Sequence, residues 1–371
     1  MDPRRTVHHP KVRPRLEARI THWQARWAAR VSGACTLWRT RSRVQRSQSC
    51  ERLLCWHAER WWNPANYTMS MTSERTLFVT GASGHLGRRV LELLLEKGTG
   101  KIVAGTRKPE KLADLAARGV VVRQADFENP EELTAALAGV DRVLIVSTDA
   151  IDRPGRRLAQ HRAAVAAAVS AGVKHAVYTS MPNPETSPVV FAPDHLGTEQ
   201  ALKASGMGWT ILRNCWYADF LIPTLAPAVA SGKLIAATGQ GGAPYVTRED
   251  CAQAAAAALA SPDTSNQTWN ITGPDLTTYV ELASLASELT GRPVTYLPVP
   301  PEERTAQLIA AGTPEFIAKL LVSSQVAISQ GKMGTPTSAV EELTGRAPMS
   351  VREFLSGHRA ALLPATQSAG R

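Results

Sequence analysis

The chain of 371 residues is poor in cysteine, in aromatic side chains and in long apolar runs, and each shortage excludes something. Three of its five cysteines precede residue 63, which leaves Cys215 and Cys251 for everything after. Neither belongs to a Cys-x-x-Cys pair or to a cluster of histidines. A disulfide framework and a structural zinc site are therefore not expected, and a reducing, cytoplasmic compartment is the default. No run of about 18 apolar residues is free of charge, so no segment reads as a membrane span. Net charge is missing too from most of the chain. The formal +10 is carried by residues 1–72, where fourteen Lys and Arg face four acids, while the remaining 299 residues hold 28 of each sign. A neutral body has no field to steer towards nucleic acid or an anionic membrane, and neither is expected as a partner.

Residues 1–72 also hold six of the nine tryptophans, scattered among Arg and Ser with no sustained period of 2 or 3.6. Such a tract does not build a core. It reads as a nucleic-acid arm, an Arg-rich transit peptide, a disordered extension, or a stretch upstream of the true start at Met69 or Met71. A twin-arginine export signal at Arg4-Arg5 fails, because no apolar run follows.

From Thr76 the pattern changes. Thr76-Leu-Phe-Val-Thr80 is a short apolar run that ends in Gly81-Ala82-Ser83-Gly84-His85-Leu86-Gly87, and apolar residues then recur at helical spacing to Lys97. Strand, glycine turn and helix in this order form the dinucleotide-binding fingerprint. One glycine permits the tight turn, one lets backbone approach a pyrophosphate, and one lets helix pack on strand. The second strand, Lys101–Thr106, ends in Arg107-Lys108, where an NAD site would place an acid for the ribose hydroxyls. A guanidinium there suits a 2′-phosphate, so NADPH is favoured, with NADH the alternative.

Strands and helices go on alternating to Arg213, which specifies a parallel sheet with helices on both faces. Ligands of such sheets lie beyond the carboxyl ends of the strands. That rule groups Gly81–Gly87, Arg107, Asp126-Phe127, Ser147-Thr148, Thr179-Ser180 and Asn214-Cys215-Trp216-Tyr217 on one rim. Asp126 and Phe127 suit the adenine, and Ser147 and Thr148 the ribose and nicotinamide.

The run Thr80–Leu95, the strand end Tyr178-Thr-Ser180, the helix Asp194-His195…Thr198-Glu199 and above all Leu212-Arg-Asn-Cys-Trp-Tyr217 resemble the NmrA-like atypical short-chain dehydrogenases, within them the bacterial type 2 NAD(P)H:quinone oxidoreductases. The resemblance covers Thr76 to about His358. It implies a phosphate loop at Gly81–Leu86, a stretch along the cofactor at Ser147-Thr148-Asp149, and a border of nicotinamide and substrate at Asn214–Asp219. It also implies an α/β, Rossmann-type doubly wound parallel sheet with a smaller α-rich C-terminal substrate lobe. The domains expected are residues 1–72 as a basic extension, 73–235 as the NAD(P)-binding domain, and 236–371 as the substrate-covering lobe, partly interleaved with the sheet. Residues 362–371 are expected to fray.

No Tyr has Lys four residues on, so the proton donor of ordinary short-chain dehydrogenases is missing. That argues against carbonyl reduction and less against quinones, whose reduced anion is stabilised by its ring. Asn214, Tyr217 and His195 are the catalytic candidates. Asn214 offers a donor and an acceptor or else caps a turn; Trp216 and Tyr217 stack on an aromatic acceptor or else pack between lobes; His195, with an ordinary pKa near 6.5, donates a proton or else packs beneath the substrate loop. Cys215 is read as a small buried hydrophobe. The function expected is flavin-free, metal-free two-electron reduction of quinones or related electrophiles by NADPH, in a monomer or homodimer. The alternative is a non-catalytic dinucleotide sensor that acts through a protein partner.

Overall fold

The computed structural model describes residues 75–363. The expectations for residues 1–72 and for the tail after Leu363 lie outside the described residues. Leu362, placed in the fraying tail, instead closes the last helix and is buried.

Seven strands form one parallel sheet in the order β3-β2-β1-β4-β5-β6-β9. They are β1 (Thr76–Val79), β2 (Lys101–Thr106), β3 (Val121–Gln124), β4 (Arg142–Ile145), β5 (His175–Ser180), β6 (Gly208–Asn214) and β9 (Gln267–Ile271). The order runs outward in both directions from β1 and β4, so crossovers diverge there and leave a crevice at the carboxyl ends of these two strands. The helices between the strands are α1 (His85–Lys97), α2 (Ala113–Ala117), α3 (Pro130–Ala136), α4 (Arg156–Ser170) and α5 (Ala192–Lys203).

Strand residues alternate between two cores, as period 2 requires of a sheet covered on both faces. Leu77, Val79, Leu144 and Val177 join one core. Phe78, Val143, Ile145 and Tyr178 join the other, under α3, α4 and α5.

After β6 the chain forms α6 (Leu221–Ser231) and two short strands, β7 (Lys233–Ala236) and β8 (Gly242–Ala243), then returns to the sheet. The alanine-rich helix α7 (Arg248–Ala260) buries Ala252, Ala254, Ala255, Ala256 and Ala258 in the core that it shares with α1, and Arg89 clasps Glu249 through two hydrogen bonds of 2.7 and 3.1 Å. Small side chains let the two helices approach closely. β9 follows as the seventh strand, so a segment after residue 236 completes the sheet. The rest contains β10 (Thr277–Thr278), which pairs antiparallel with β8, and β11 (Thr295–Pro298), which pairs parallel with β7. Six helices complete it: α8 (Tyr279–Thr290), α9 (Pro301–Ala310), α10 (Glu315–Ser329), α11 (Ala339–Thr344), α12 (Val351–Gly357) and α13 (Arg359–Leu362).

Burial dictates where truncation matters. Leu94 on α1 is 0% exposed, whereas Val169 on α4 is 44% exposed. Leu94→Ala is expected to lose about 2–5 kcal/mol in urea unfolding and Val169→Ala to change stability by less than about 0.5 kcal/mol. Equal effects would contradict the packing described.

Candidate functional site

Beyond β1 the chain reverses at Gly81, whose φ of +58° is strained for any residue with a side chain. One turn into α1, Gly87 comes so close that an added Cβ would lie 2.5 Å from the Gly81 carbonyl oxygen. The helix thus begins hard against the strand. Its N-cap, Gly84, supplies no side-chain cap, and its first turn carries no acid. The leading N–H groups and the positive end of the helix dipole are left for an anion.

A cleft of about 450 Å³ opens in front of this turn. Gly81, Ser83, Gly84, Arg107, Asp126, Phe127, Ser147, Thr148 and Asp149 line it, so the structure gathers nine of the expected cofactor residues from four strand ends. Arg107 is exposed and makes no ion pair or hydrogen bond among the described residues. Ala82 and Leu86 turn their side chains into the core, and His85 is exposed at the first helical position. Thr179 stands behind the wall, where its hydroxyl oxygen accepts from the Ser147 N–H at 2.9 Å.

Sequence reasoning missed several lining residues, among them Thr106, Asp152, Arg156 and Gln160. Thr106 donates to the Ser83 hydroxyl at 3.0 Å. Arg156 spans from Asp152 (2.9 Å) to Glu128 (2.6 Å), and Gln160 also donates to Glu128. The visible signal was position: Arg156 and Gln160 stand four residues apart, on one face of the helix that follows β4.

A second group lies outside the lining of this cleft, at the ends of β5 and β6. Asn214 is buried and donates from Nδ2 to the Tyr217 hydroxyl at 3.3 Å, while its Oδ1 has no partner among the described residues. Burial pushes the Tyr217 phenol well above its ordinary range, so it remains protonated. The rings form a continuous series. Phe191 stacks on Trp216 at 6.2 Å, Trp216 meets Phe220 at 6.3 Å, and Phe220 stacks on Tyr217 at 6.0 Å. Arg248, held by Asp219 at 2.8 Å, caps the Tyr217 ring. Phe191 and Phe220 gave no motif in the sequence. Cys215 faces away into the core, its Sγ 3.5 Å from the Met333 carbonyl, and burial pushes its thiol up to about 12. It contributes packing and no reactive thiolate.

His195 is 3% exposed and both of its ring nitrogens are engaged. Nε2 lies 3.0 Å from Arg157 Nη2, which can only donate, and Nδ1 lies 2.8 Å from the Tyr178 hydroxyl. Burial, reinforced by the Arg157 charge, holds this imidazole well below its ordinary 6.5. A neutral ring with no free nitrogen is not placed to donate a proton near neutral pH, so the catalytic expectation for His195 does not fit its placement. Glu199 is likewise occupied, by Ser180 at 2.7 Å and Arg213 at 2.7 and 2.9 Å.

Comparison with known proteins bears on this geometry. The family described as NAD(P)H-binding matches residues 81–262. Quinone oxidoreductase 2 of Escherichia coli strain K12 is 35% identical over 279 residues, 75% of this chain and 96% of that one. The chain belongs to the NmrA-like, NAD(P)H-binding family. The NAD(P)H azoreductase of Xenophilus azovorans is 30% identical over 77% of this chain and 98% of that one. A crystal structure of the NADPH-dependent quinone oxidoreductase of Escherichia coli complexed with NADPH superposes with a TM-score of 0.72 at 34% identity, over 76% of this chain and 99% of that one. The chain is thus an NAD(P)H-dependent oxidoreductase of the quinone-oxidoreductase type. Among the described residues no helix is long and apolar enough to cross a membrane, and no group of three or more His, Cys, Asp or Glu is placed to hold a metal.

The buried histidines give a pH test. His161 is held down to about 3 and His175 to about 4, both mainly by burial, and His195 is lowered as well. Below about pH 6.5 the unfolded chain binds protons that the folded chain refuses, so stability is complete above that pH and falls as acid is added. Denaturant titrations are expected to show a loss approaching about 1.4 kcal/mol per pH unit for each of His161 and His175 between roughly pH 6 and 4, with His195 acting in the same direction. A flat profile over this range would contradict their burial as neutral rings.

Proposed function

We propose that the protein reduces quinones or related aromatic electrophiles by two electrons, with NADPH as reductant. The carrying observation is the conjunction at one sheet edge of an uncapped, glycine-tight helix start with an exposed arginine, unpaired among the described residues, at the next strand end. The fit to a dinucleotide is physical. A Cβ at Gly87 would strike the Gly81 carbonyl, so only glycine keeps the helix start close enough to cradle a pyrophosphate. Gly81–Gly87 would hold the diphosphate, Asp126 and Phe127 the adenine end, and Ser147, Thr148 and Asp149 the nicotinamide end. Arg107 would pair with the 2′-phosphate, which distinguishes NADPH from NADH.

When bound, NADPH supplies a hydride that passes directly to the acceptor without flavin. The chain's own part is to hold that acceptor. Trp216, Phe220 and Tyr217 offer a run of flat faces for a planar acceptor. The Tyr217 hydroxyl receives the Asn214 amide hydrogen and keeps its own hydrogen for the oxygen of a reduced acceptor. Its raised pKa makes it a hydrogen-bond donor and no base. Positioning supplies most of what such a reaction needs, because a quinone accepts hydride readily.

Oxidation of NADPH with a panel of quinones, followed by absorbance of the reduced nicotinamide, tests the activity. Tight NADPH binding without turnover on any acceptor would favour the sensor reading. Arg107→Asp is expected to raise the KM for NADPH by about tenfold or more while it leaves that for NADH nearly unchanged. Equal changes for the two would remove Arg107 from the 2′-phosphate.

A further inference from the structure

Thr148 lies in a stretch of irregular backbone between β4 and α4, yet both its main-chain polar groups are held by buried side chains of one helix. Its N–H donates to His161 Nε2 at 3.0 Å, and its carbonyl accepts from Arg157 Nε at 2.7 Å. Arg157 and His161 stand four residues apart and so share one face of α4. Behind them the network closes. His161 Nδ1 lies 3.0 Å from the Thr198 hydroxyl, which itself donates to the Asp194 carbonyl at 2.6 Å. Tyr178 lies 3.3 Å from His161 Nδ1 and 2.8 Å from His195 Nδ1, and His195 Nε2 meets Arg157. The partners assign the protons. A backbone N–H can only donate, so His161 Nε2 is bare and its hydrogen sits on Nδ1 for Thr198; an arginine can only donate, so His195 Nε2 is bare and its hydrogen sits on Nδ1 for Tyr178.

Arg157 is the anomaly that gives the network its meaning. It is 6% exposed, has no carboxylate within ion-pair distance among the described residues, and leaves Nη1 without a partner. Its guanidinium lies over the face of Phe191, 4.8 Å from the ring centroid. A buried guanidinium without an ion-pair partner is costly, offset here by its hydrogen bonds and by the more distant charges of Asp194 and Asp149. The field of the guanidinium disfavours a proton on either neighbouring imidazole, and a neutral His161 is the only form that can accept from Thr148. A protonated ring would turn an N–H against an N–H.

We propose that Arg157 and His161 are positioning residues that clamp the main chain of Thr148 by both its N–H and its carbonyl and so set the wall Ser147–Asp149. The proposal rests on the reading that this wall borders the dinucleotide. His195, Tyr178 and Thr198 hold the clamp in one tautomeric state and touch no reactant. The clamp makes the wall ready before any ligand arrives, which removes the ordering cost from NADPH binding.

The two amide replacements of His161 separate this role from simple packing. Gln places an amide oxygen where Nε2 stands and can still accept from Thr148, whereas Asn reaches only the Nδ1 position. Hydrogen exchange of the full chain without NADPH reads the clamp directly. In His161→Asn the amides of residues 147–150 are expected to lose protection while those of β1 keep theirs, and NADPH binding weakens by roughly tenfold, the worth of one buried main-chain hydrogen bond. His161→Gln is expected to recover most of both effects, and Arg157→Met to match the Asn variant. Wild-type exchange at 147–150 in His161→Asn and Arg157→Met would overturn the proposal, as would protection lost equally across the sheet. Failure of the wild type to bind NADPH would overturn the dinucleotide reading instead, and leave the exchange result to judge the clamp.

Discussion

The contact of backbone on backbone where β1 passes into α1 governs the rest of the molecule. Gly87 lies against the Gly81 carbonyl with no room for a Cβ, and this fixes how close α1 sits to the first strand of the parallel sheet. On its other side α1 meets α7, which packs there through a run of buried alanines. The contact of Gly87 with Gly81 leaves the start of α1 facing the crevice between the two directions of winding, with no side chain capping it. The architecture and the proposed anion site are therefore one constraint.

A parallel sheet brings the ends of all its strands to one edge, and the edge here divides by chemistry. The ends of β1 to β4 make an open cleft of glycine, hydroxyl and charged groups. The ends of β5 and β6 carry rings, backed by a sealed layer of Arg157, His161, Tyr178 and His195. In that sealed layer His195 is not placed to donate a proton. Its nitrogens are committed, and the neighbouring guanidinium keeps it neutral.

Much of this was legible in the sequence, for reasons that are local. The glycine turn, the arginine at the end of β2 and the alternation of strands with helices are readable because each depends on residues adjacent in the chain. For His195 both a proton donor and a packing residue stayed open, because its state depends on Arg157, Tyr178 and burial, none of which spacing along the chain reveals. Phe191 and Phe220 were missed for the same reason: each is an ordinary apolar residue until Trp216 and Tyr217 are brought against it. The place of β9 as the seventh strand depends on pairing with β6, fifty-odd residues earlier, which spacing along the chain does not reveal.

The central claim is that this chain delivers hydride straight from NADPH to an acceptor held beside the nicotinamide. Single-turnover oxidation of NADPH carrying deuterium on one or the other face of C4, in protein shown to be free of flavin, tests it most directly. The account predicts that deuterium on one face alone slows the loss of reduced nicotinamide in the presence of a quinone. Equal rates with both labelled forms, or turnover only after flavin is added, would contradict it.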